Sequence, residues 1–142
     1  MNENFYRIFE KIYKRRKEIL LKLSGKSIIL PTVDEIIEIN KRITQIHRET
    51  YEIKDLRILH HIVDSVKNEK EVLKAALILF EKIIKNRPFK EGNKRTAVIV
   101  FDMTLENNNV NIEISNEKLY QWAIGLTENR ITTDDIIKQI NF

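Results

Sequence analysis

One short polar stretch of the chain combines the residue types that bind phosphate. Residues 85–97 read K-N-R-P-F-K-E-G-N-K-R-T-A. An apolar helical pattern ends before this stretch, near Ile84, and another begins after it, at Ala97. A loop that enters a helix in this way offers unpaired backbone N–H groups and the positive end of the helix dipole to an anion. The stretch therefore predicts a phosphate-binding loop.

The residue types inside this loop suggest individual roles. Gly92 permits a close backbone approach or a positive φ. Lys94 and Arg95 add fixed positive charge, and Glu91 could hold a divalent cation that bridges phosphate oxygens. A purely structural interpretation is also open, because a helix end, a turn at Pro88 and a helix start capped by an asparagine would give much of the same pattern without a ligand.

The loop also resembles the active-site motif of the Fic/Doc (Fido) family, His-x-Phe-x-Asp/Glu-Gly/Ala-Asn-x-Arg. The corresponding stretch here reads R-P-F-K-E-G-N-K-R. The matching positions are Phe89, Glu91, Gly92, Asn93 and Arg95, and Lys94 resembles the Doc branch. The family's catalytic histidine falls on Arg87. The resemblance extends over residues 30–142 and implies an all-α fold, a compact bundle of about six to eight helices with at most a short β flap.

This resemblance implies a nucleotide site with a defined division of labour. Glu91 would hold Mg²⁺ on the phosphates of ATP or another nucleoside triphosphate. The backbone N–H groups of residues 92–94, together with Asn93 and Lys94, would form the anion hole, and Arg95 would pair with terminal phosphate oxygens. Phe89 would anchor the loop in the core.

The implied reaction is transfer of a phosphoryl or nucleotidyl group to a protein hydroxyl, an AMPylation-type chemistry. The family assigns deprotonation of that hydroxyl to the histidine, and Arg87 cannot replace it because a guanidinium stays protonated. Loss of a general base typically costs about 10²–10⁴-fold in rate. Arg87 would instead neutralise phosphate charge, so we expect a nucleotide-binding domain whose transferase activity is lost or reduced.

Two other functions stay open on the sequence. The chain could be an active transferase that uses another base, and by resemblance to Doc it could then act as a toxin module held by an antitoxin chain. It could also be an interaction module that binds proteins but no nucleotide. The partners implied are a nucleotide and a protein target or antitoxin, while the oligomeric state stays open.

Composition limits the class of protein. The chain has 142 residues, 42% hydrophobic and 32% charged, which predicts a globular domain. Its formal net charge of +4 suits an anionic small molecule and does not by itself imply nucleic acid. The absence of cysteine excludes disulfides and thiolate metal sites. No apolar run has the length of a membrane span and no signal-peptide core is recognised, so a cytoplasmic protein is expected.

The N-terminal part reads as an addition to the main domain. Residues 4–23 carry apolar side chains at helical spacing and a basic opposite face. They predict an amphipathic basic helical extension over residues 1–29, ahead of a Fic/Doc-like domain over residues 30–142. The basic face is interpreted as solvated, with a contact to nucleic acid or an acidic partner as the alternative.

The first elements of the main domain have clear start signals. Thr32 and Glu35 have capping-box spacing. The isoleucines that follow are predicted to face inward: Ile36, Ile39, Ile43 and Ile46. By analogy with Doc-like proteins, residues 48–54 form a flap that would align a target peptide. Asp55 then caps the next helix.

The most apolar pattern runs from Glu69 to Ile84 and predicts a central, buried helix. Pro88 disfavours helical geometry at Arg87 and should end that helix. Three asparagines at 107–109 indicate the stop of the next one. The remaining predicted features are an extended piece with Val110, Ile112 and Ile114, and helix starts at Ser115 and Thr132.

Several single residues look like ligands but have structural explanations. His47 lies near a helix end, where it would meet the negative end of the dipole. His60 and His61 are neighbours, which point about 100° apart on a helix and cannot both face one metal. We therefore expect these histidines to be structural or solvated. Trp122 is predicted to lie in the core, and the acids that open the last helix suit its positive end.

Overall fold

The computed structural model describes residues 28–140, and these form an all-α domain. The helices are α1 (Val33–Ile46), α2 (Leu56–Asp64), α3 (Val72–Asn86), α4 (Asn93–Asn107), α5 (Asn116–Thr127) and α6 (Thr133–Ile140). Across residues 28–140 the β structure is limited to one antiparallel bridge, between Ile53 and Phe89. The predicted all-α bundle with at most a short β flap is confirmed. The amphipathic pattern of residues 4–23 lies outside the described residues and stays a prediction.

Helices α3 and α4 form the centre of the bundle. They pack more extensively on each other than any other pair, α1 packs against α4, and α5 packs against both. The rings of Phe80 and Phe101 meet across the central pair, with centroids 5.7 Å apart. The prediction of a central helix ending near Ile84 is confirmed, although α3 begins later than expected, after Glu71. The loop that joins these two helices is therefore held at both ends by core elements.

Local capping bonds start the helices where the sequence indicated. Thr32 and Glu35 form the complete capping box of α1, with the Thr32 N–H donating to Glu35 Oε1 over 2.9 Å. The carboxylate of Asp55 accepts from Arg57 N at the start of α2, and Ser115 Oγ accepts from Lys118 N at the start of α5. Each such cap is worth about 1 kcal/mol.

The last helix has the same kind of start. Asp135 N donates to Thr132 Oγ1 over 3.1 Å, and Thr132 N donates to Asp135 Oδ2 over 2.9 Å. Hydrogen bonds to the carboxylate from the backbone N–H of Thr132 and from its side chain hold the pKa of the Asp135 carboxyl below its ordinary value, because they favour its charged form. The acids at this position act as helix-start groups, as predicted.

The structure corrects the inward placement of Ile46. Ile36, Ile39 and Ile43 are buried as expected, but Ile46 is 49% exposed. It is the last residue of α1, where the chain turns away from the core into the segment before α2. The apolar spacing in the sequence includes Ile46, although the end of α1 no longer packs against the core.

Residues 110–115 lead from α4 to α5 without a helix or a strand, and the extended piece expected here stays a prediction. Val110, Ile112 and Ile114 do pack partly against the core, but the segment pairs with no strand in the described part of the chain. The predicted stop before it is confirmed, since α4 ends at Asn107 and Asn109 has a φ of 58°. Asn108 then binds the start of the described chain, donating from Nδ2 to Ile29 O over 2.8 Å.

The residues singled out as apparent ligands have ordinary surroundings. His47 follows α1 as its C-cap and is exposed, and His60 and His61 are exposed on α2. Over residues 28–140 no three histidines and acids are grouped in a way that could hold a metal. Trp122 is buried, as predicted. No helix in the described range is both long and apolar enough to cross a membrane.

Candidate functional site

The loop between α3 and α4 begins with a left-handed arginine. Arg87 has a φ of 47° and donates its N–H to Ile83 O over 3.1 Å, which closes the last turn of α3. The following Pro88 makes right-handed helical geometry unfavourable at Arg87, so the helix ends as predicted. An arginine in this region is strained, by about 1–2 kcal/mol. The surrounding contacts must therefore impose the turn.

Phe89 anchors the loop from below. Its side chain is fully buried, and its backbone is bonded on one side by the side chain of Asn93: Phe89 N donates to Asn93 Oδ1 over 3.1 Å, and Asn93 Nδ2 donates to Phe89 O over 2.8 Å. On the other side the loop pairs with residues 52–54, through bonds from Lys54 N to Pro88 O and from Lys90 N to Glu52 O. The loop is thus a rigid structure rather than a free surface turn.

Asn93 consequently contributes to the site through its backbone. The amide side chain, which is almost completely buried, bonds the loop and does not point to a ligand. Asn93 is also not the helix cap that the structural interpretation assumed, because Gly92 precedes α4 as its N-cap. What Asn93 can offer to an anion is its N–H group.

Gly92 is required by two features of its surroundings. Its φ is +79°, and a Cβ atom placed there would lie 3.0 Å from Nδ2 of Asn40 and 3.4 Å from Cγ2 of Ile43. Asn40 cannot easily move, since its buried amide donates to Glu91 O over 2.8 Å and to Thr96 Oγ1 over 3.1 Å. Helix α1 therefore fixes the turn at the start of α4.

The start of α4 opens into a cleft. No side chain in residues 28–140 caps this helix, and its first intrahelical bond runs from Thr96 N to Gly92 O, so the earlier N–H groups point out of the helix. The cleft has a volume of about 280 Å³. It is lined by Arg87, Glu91, Gly92, Asn93, Lys94, Arg95 and Tyr120. The structure therefore brings together every predicted site residue except Phe89, which lies beneath the loop.

A comparison with protein families agrees with this geometry. The model of the Fic/DOC family matches residues 30–105, which is more than half of the chain. The chain belongs to the Fic/DOC family. The matched region runs from just before α1 to the last turns of α4, so it contains the loop and the start of α4 that line the cleft, whereas Tyr120 lies outside it. A comparison with curated proteins found no match to the chain.

The Fic/DOC cleft carries more positive than negative charge. Arg87 and Lys94 are exposed at its edge. Arg95 is partly buried and donates from Nη1 to Glu49 Oε1 over 2.8 Å. Glu91 is the acidic residue that lines the cleft itself. An anion entering the cleft would thus meet three cations in addition to the backbone N–H groups.

Tyr120 places the first turns of α5 at the wall of the same cleft. Its half-buried phenol lines the cleft together with Arg95. Burial raises the pKa of Tyr120, and the interaction with the positively charged Arg95 guanidinium only partly opposes this. The phenol therefore stays protonated at neutral pH and can orient Arg95 or donate to a ligand.

Sequence reasoning missed Asn40, Glu49 and Tyr120. For Asn40 a signal existed, because it lies on the isoleucine face of α1, where a buried polar side chain must find partners. Glu49 and Tyr120 have no such signal. They reach the Fic/DOC loop only because the flap and α5 pack beside α4.

Proposed function

We propose that this Fic/DOC domain binds a nucleoside triphosphate such as ATP, with its phosphates over the start of α4. The main support is that one cleft contains both the uncapped start of this helix and three cationic side chains, those of Arg87, Lys94 and Arg95. Backbone N–H groups and the positive end of a helix dipole favour phosphate, and charge-assisted hydrogen bonds to Arg and Lys add to this.

Each group has a role that its position supports. The backbone N–H groups of residues 92–94 would donate hydrogen bonds to phosphate oxygens that lie over the start of α4. Arg95 would pair with terminal phosphate oxygens as a planar donor, and Lys94 would act as a point charge. Arg87, an exposed residue of the cleft lining, would neutralise further phosphate charge.

Magnesium fits this arrangement through Glu91. Mg²⁺ in nucleotide sites is usually held by one or two carboxylates together with phosphate oxygens, and Glu91 places one carboxylate in the cleft. When bound there, the ion would bridge phosphate oxygens and neutralise their charge. The rest of the chemistry would depend on the residues of this chain.

We further propose that transfer to a protein hydroxyl is lost or reduced. Arg87 occupies the position of the catalytic histidine in the motif, and its guanidinium cannot accept the proton of an attacking hydroxyl. The residues that line the cleft in the described chain include no histidine. Lys94 gives the motif its likeness to the Doc branch. The transferase reaction that is lost or reduced here would therefore be the one that proteins of that branch carry out.

Calorimetric titration tests the binding half of the proposal. The protein is titrated with Mg–ATP beside Arg95→Ala, and beside Arg130→Ala, which removes an equally charged but exposed side chain that pairs with Glu128. Arg95→Ala should weaken binding by about 10–100-fold, from a hydrogen bond to a charged group worth about 1.5–3 kcal/mol. Arg130→Ala should change it less than twofold on the scale of exposed pairs. Equal losses in both variants would contradict the site.

Restoring a base tests the other half. Arg87→His should raise the rate at which the phosphoryl or nucleotidyl group of Mg–ATP is transferred to water, followed as release of labelled ADP or pyrophosphate, by about 10²-fold or more. The double variant Arg87→His, Arg95→Ala should lose this gain because the phosphates are no longer held. Turnover that stays unchanged on introducing the histidine, in a protein that binds Mg–ATP, would show that the arginine is not what limits the reaction.

A further inference from the structure

The two charged residues expected to meet the nucleotide most closely are already engaged by consecutive residues of the flap. Arg95 Nη1 donates to Glu49 Oε1 over 2.8 Å. Glu91 Oε2 accepts from the backbone N–H of Thr50 over 2.7 Å. Glu49 therefore presents to Arg95 the kind of anionic oxygen that a phosphate would present, and Thr50 occupies one oxygen of the carboxylate that would hold Mg²⁺.

The backbone of Glu49 is held in place by a hydrogen bond to α1. Glu49 N donates to Thr44 O over 2.8 Å, which ties the residue to the last turn of α1. The side chains of Arg95 and Glu49 are only 35% and 29% exposed, so water screens their ion pair less than it screens a surface pair. The carboxylate is thus held against the cation rather than meeting it by chance.

The flap has two parts that are anchored differently. Residues 52–54 pair with the loop through backbone bonds, from Lys54 N to Pro88 O and from Lys90 N to Glu52 O. Residues 49–50 meet the loop through the side chains of Arg95 and Glu91. A ligand that takes over those two side chains would release the Glu49 carboxylate and the Thr50 N–H and leave the backbone pairing of residues 52–54 in place.

We infer that Glu49, with Thr50, is a built-in competitor that sets the affinity and charge selectivity of the cleft. The inference rests on the proposed function, since it concerns the same site. A phosphate must displace the Glu49 carboxylate from Arg95, so each ligand binds with the cost of breaking that pair. Ligands with several charged phosphate oxygens, and with Mg²⁺ to engage Glu91, overcome this cost, whereas inorganic phosphate does so poorly.

Glu49→Gln tests this inference by titration with Mg–ATP and with inorganic phosphate. The variant should bind Mg–ATP about fivefold more tightly than the parent protein, the gain expected when a partly exposed ion pair of about 1 kcal/mol no longer has to be broken. Inorganic phosphate should gain at least as much. Glu52→Gln is the matched control, because it removes the same charge from an exposed position on the same flap. It should change either affinity by less than twofold.

Amide hydrogen exchange gives a second measurement on the parent protein. Mg–ATP should accelerate exchange at Thr50, whose bond to Glu91 is given up, and leave the amides of Lys54 and Lys90 as protected as before. Because this measurement uses the parent protein, its result does not depend on whether the Glu49→Gln variant keeps its fold.

The outcomes separate the two proposals. If the parent and Glu49→Gln bind Mg–ATP equally well while Arg95→Ala binds poorly, the competitor is refuted and the nucleotide site stands. Equal gains in Glu49→Gln and Glu52→Gln would also refute it, since only general charge would then matter. If none of these proteins binds Mg–ATP or phosphate, the proposed function fails and the competitor fails with it.

Discussion

Replacing Asn93 with alanine should show whether this residue is a structural clamp of the loop. Its side chain is the partner of both backbone polar groups of Phe89, at 3.1 Å and 2.8 Å. Both bonds lie in the buried part of the loop, where water cannot replace the lost amide. A family motif alone would place Asn93 among the ligand-binding residues, so the two roles differ in what the variant should lose.

The magnitude follows from the groups left unpaired. A buried donor or acceptor without a partner costs about 1–3 kcal/mol, so losing both bonds at Phe89 should destabilise the protein by about 2–4 kcal/mol. For a domain of this size that corresponds to a fall in Tm of roughly 6–15 °C. The predicted loss is a large part of the stability of an ordinary domain.

Urea and thermal unfolding followed by circular dichroism measure this change. Asn111→Ala is the control, because it makes the same substitution at an exposed position outside the helices. It should stay within about 0.5 kcal/mol of the parent protein. If Asn93→Ala were as stable as Asn111→Ala, the two bonds to Phe89 would contribute nothing, and the account of a rigid loop held by Asn93 would be refuted.

Two further predictions concern the loop and the last helix. Gly92→Ala should destabilise the protein by about 2–3 kcal/mol in urea unfolding, from a positive φ and from displacement of Asn40. Gly125→Ala would be destabilised for a different reason, because its Cβ would lie 2.9 Å from Cγ1 of Ile131 although its φ is not positive; a Gly92→Ala protein as stable as the parent would contradict the strain argument. The pKa of Asp135 is lowered in the folded state. The contribution of its ionised carboxylate to the free energy of unfolding is therefore fully present above the unfolded-state pKa and is lost as the pH falls through the folded-state pKa. The stability difference between the protein and Asp135→Asn should therefore be largest above about pH 5 and shrink below about pH 4, and a difference independent of pH would exclude that linkage.

The predictable parts of this structure depend on short-range interactions. The capping bonds at Thr32, Ser115 and Thr132 join residues three positions apart, so the local sequence contains both partners. The end of α3 before Pro88 is equally local. The polar stretch between two helical patterns already indicated an anion site, and the family motif added the expectation of a nucleotide there.

The unpredicted parts depend on contacts between distant segments. Asn40 reaches Glu91 across 51 positions and Glu49 reaches Arg95 across 46, and no sequence spacing indicates either contact. Ile46 was placed inward because helical periodicity does not show where a helix loses its packing partner. The structural interpretation placed the cap of α4 at an asparagine, which is a favoured cap, but the left-handed Gly92 moves it one residue earlier.

The most direct test of the nucleotide site is an NMR titration of the ¹⁵N-labelled protein with Mg–ATP. Phosphates bound at the start of α4 should shift the amide signals of residues 92–95 first and most strongly, since those N–H groups would change hydrogen-bond partners. The amides of residues 112–115, which line a separate cleft, should stay unchanged. Saturable shifts confined to that second cleft, or no shifts at all, would contradict the claim that the start of α4 is a phosphate site.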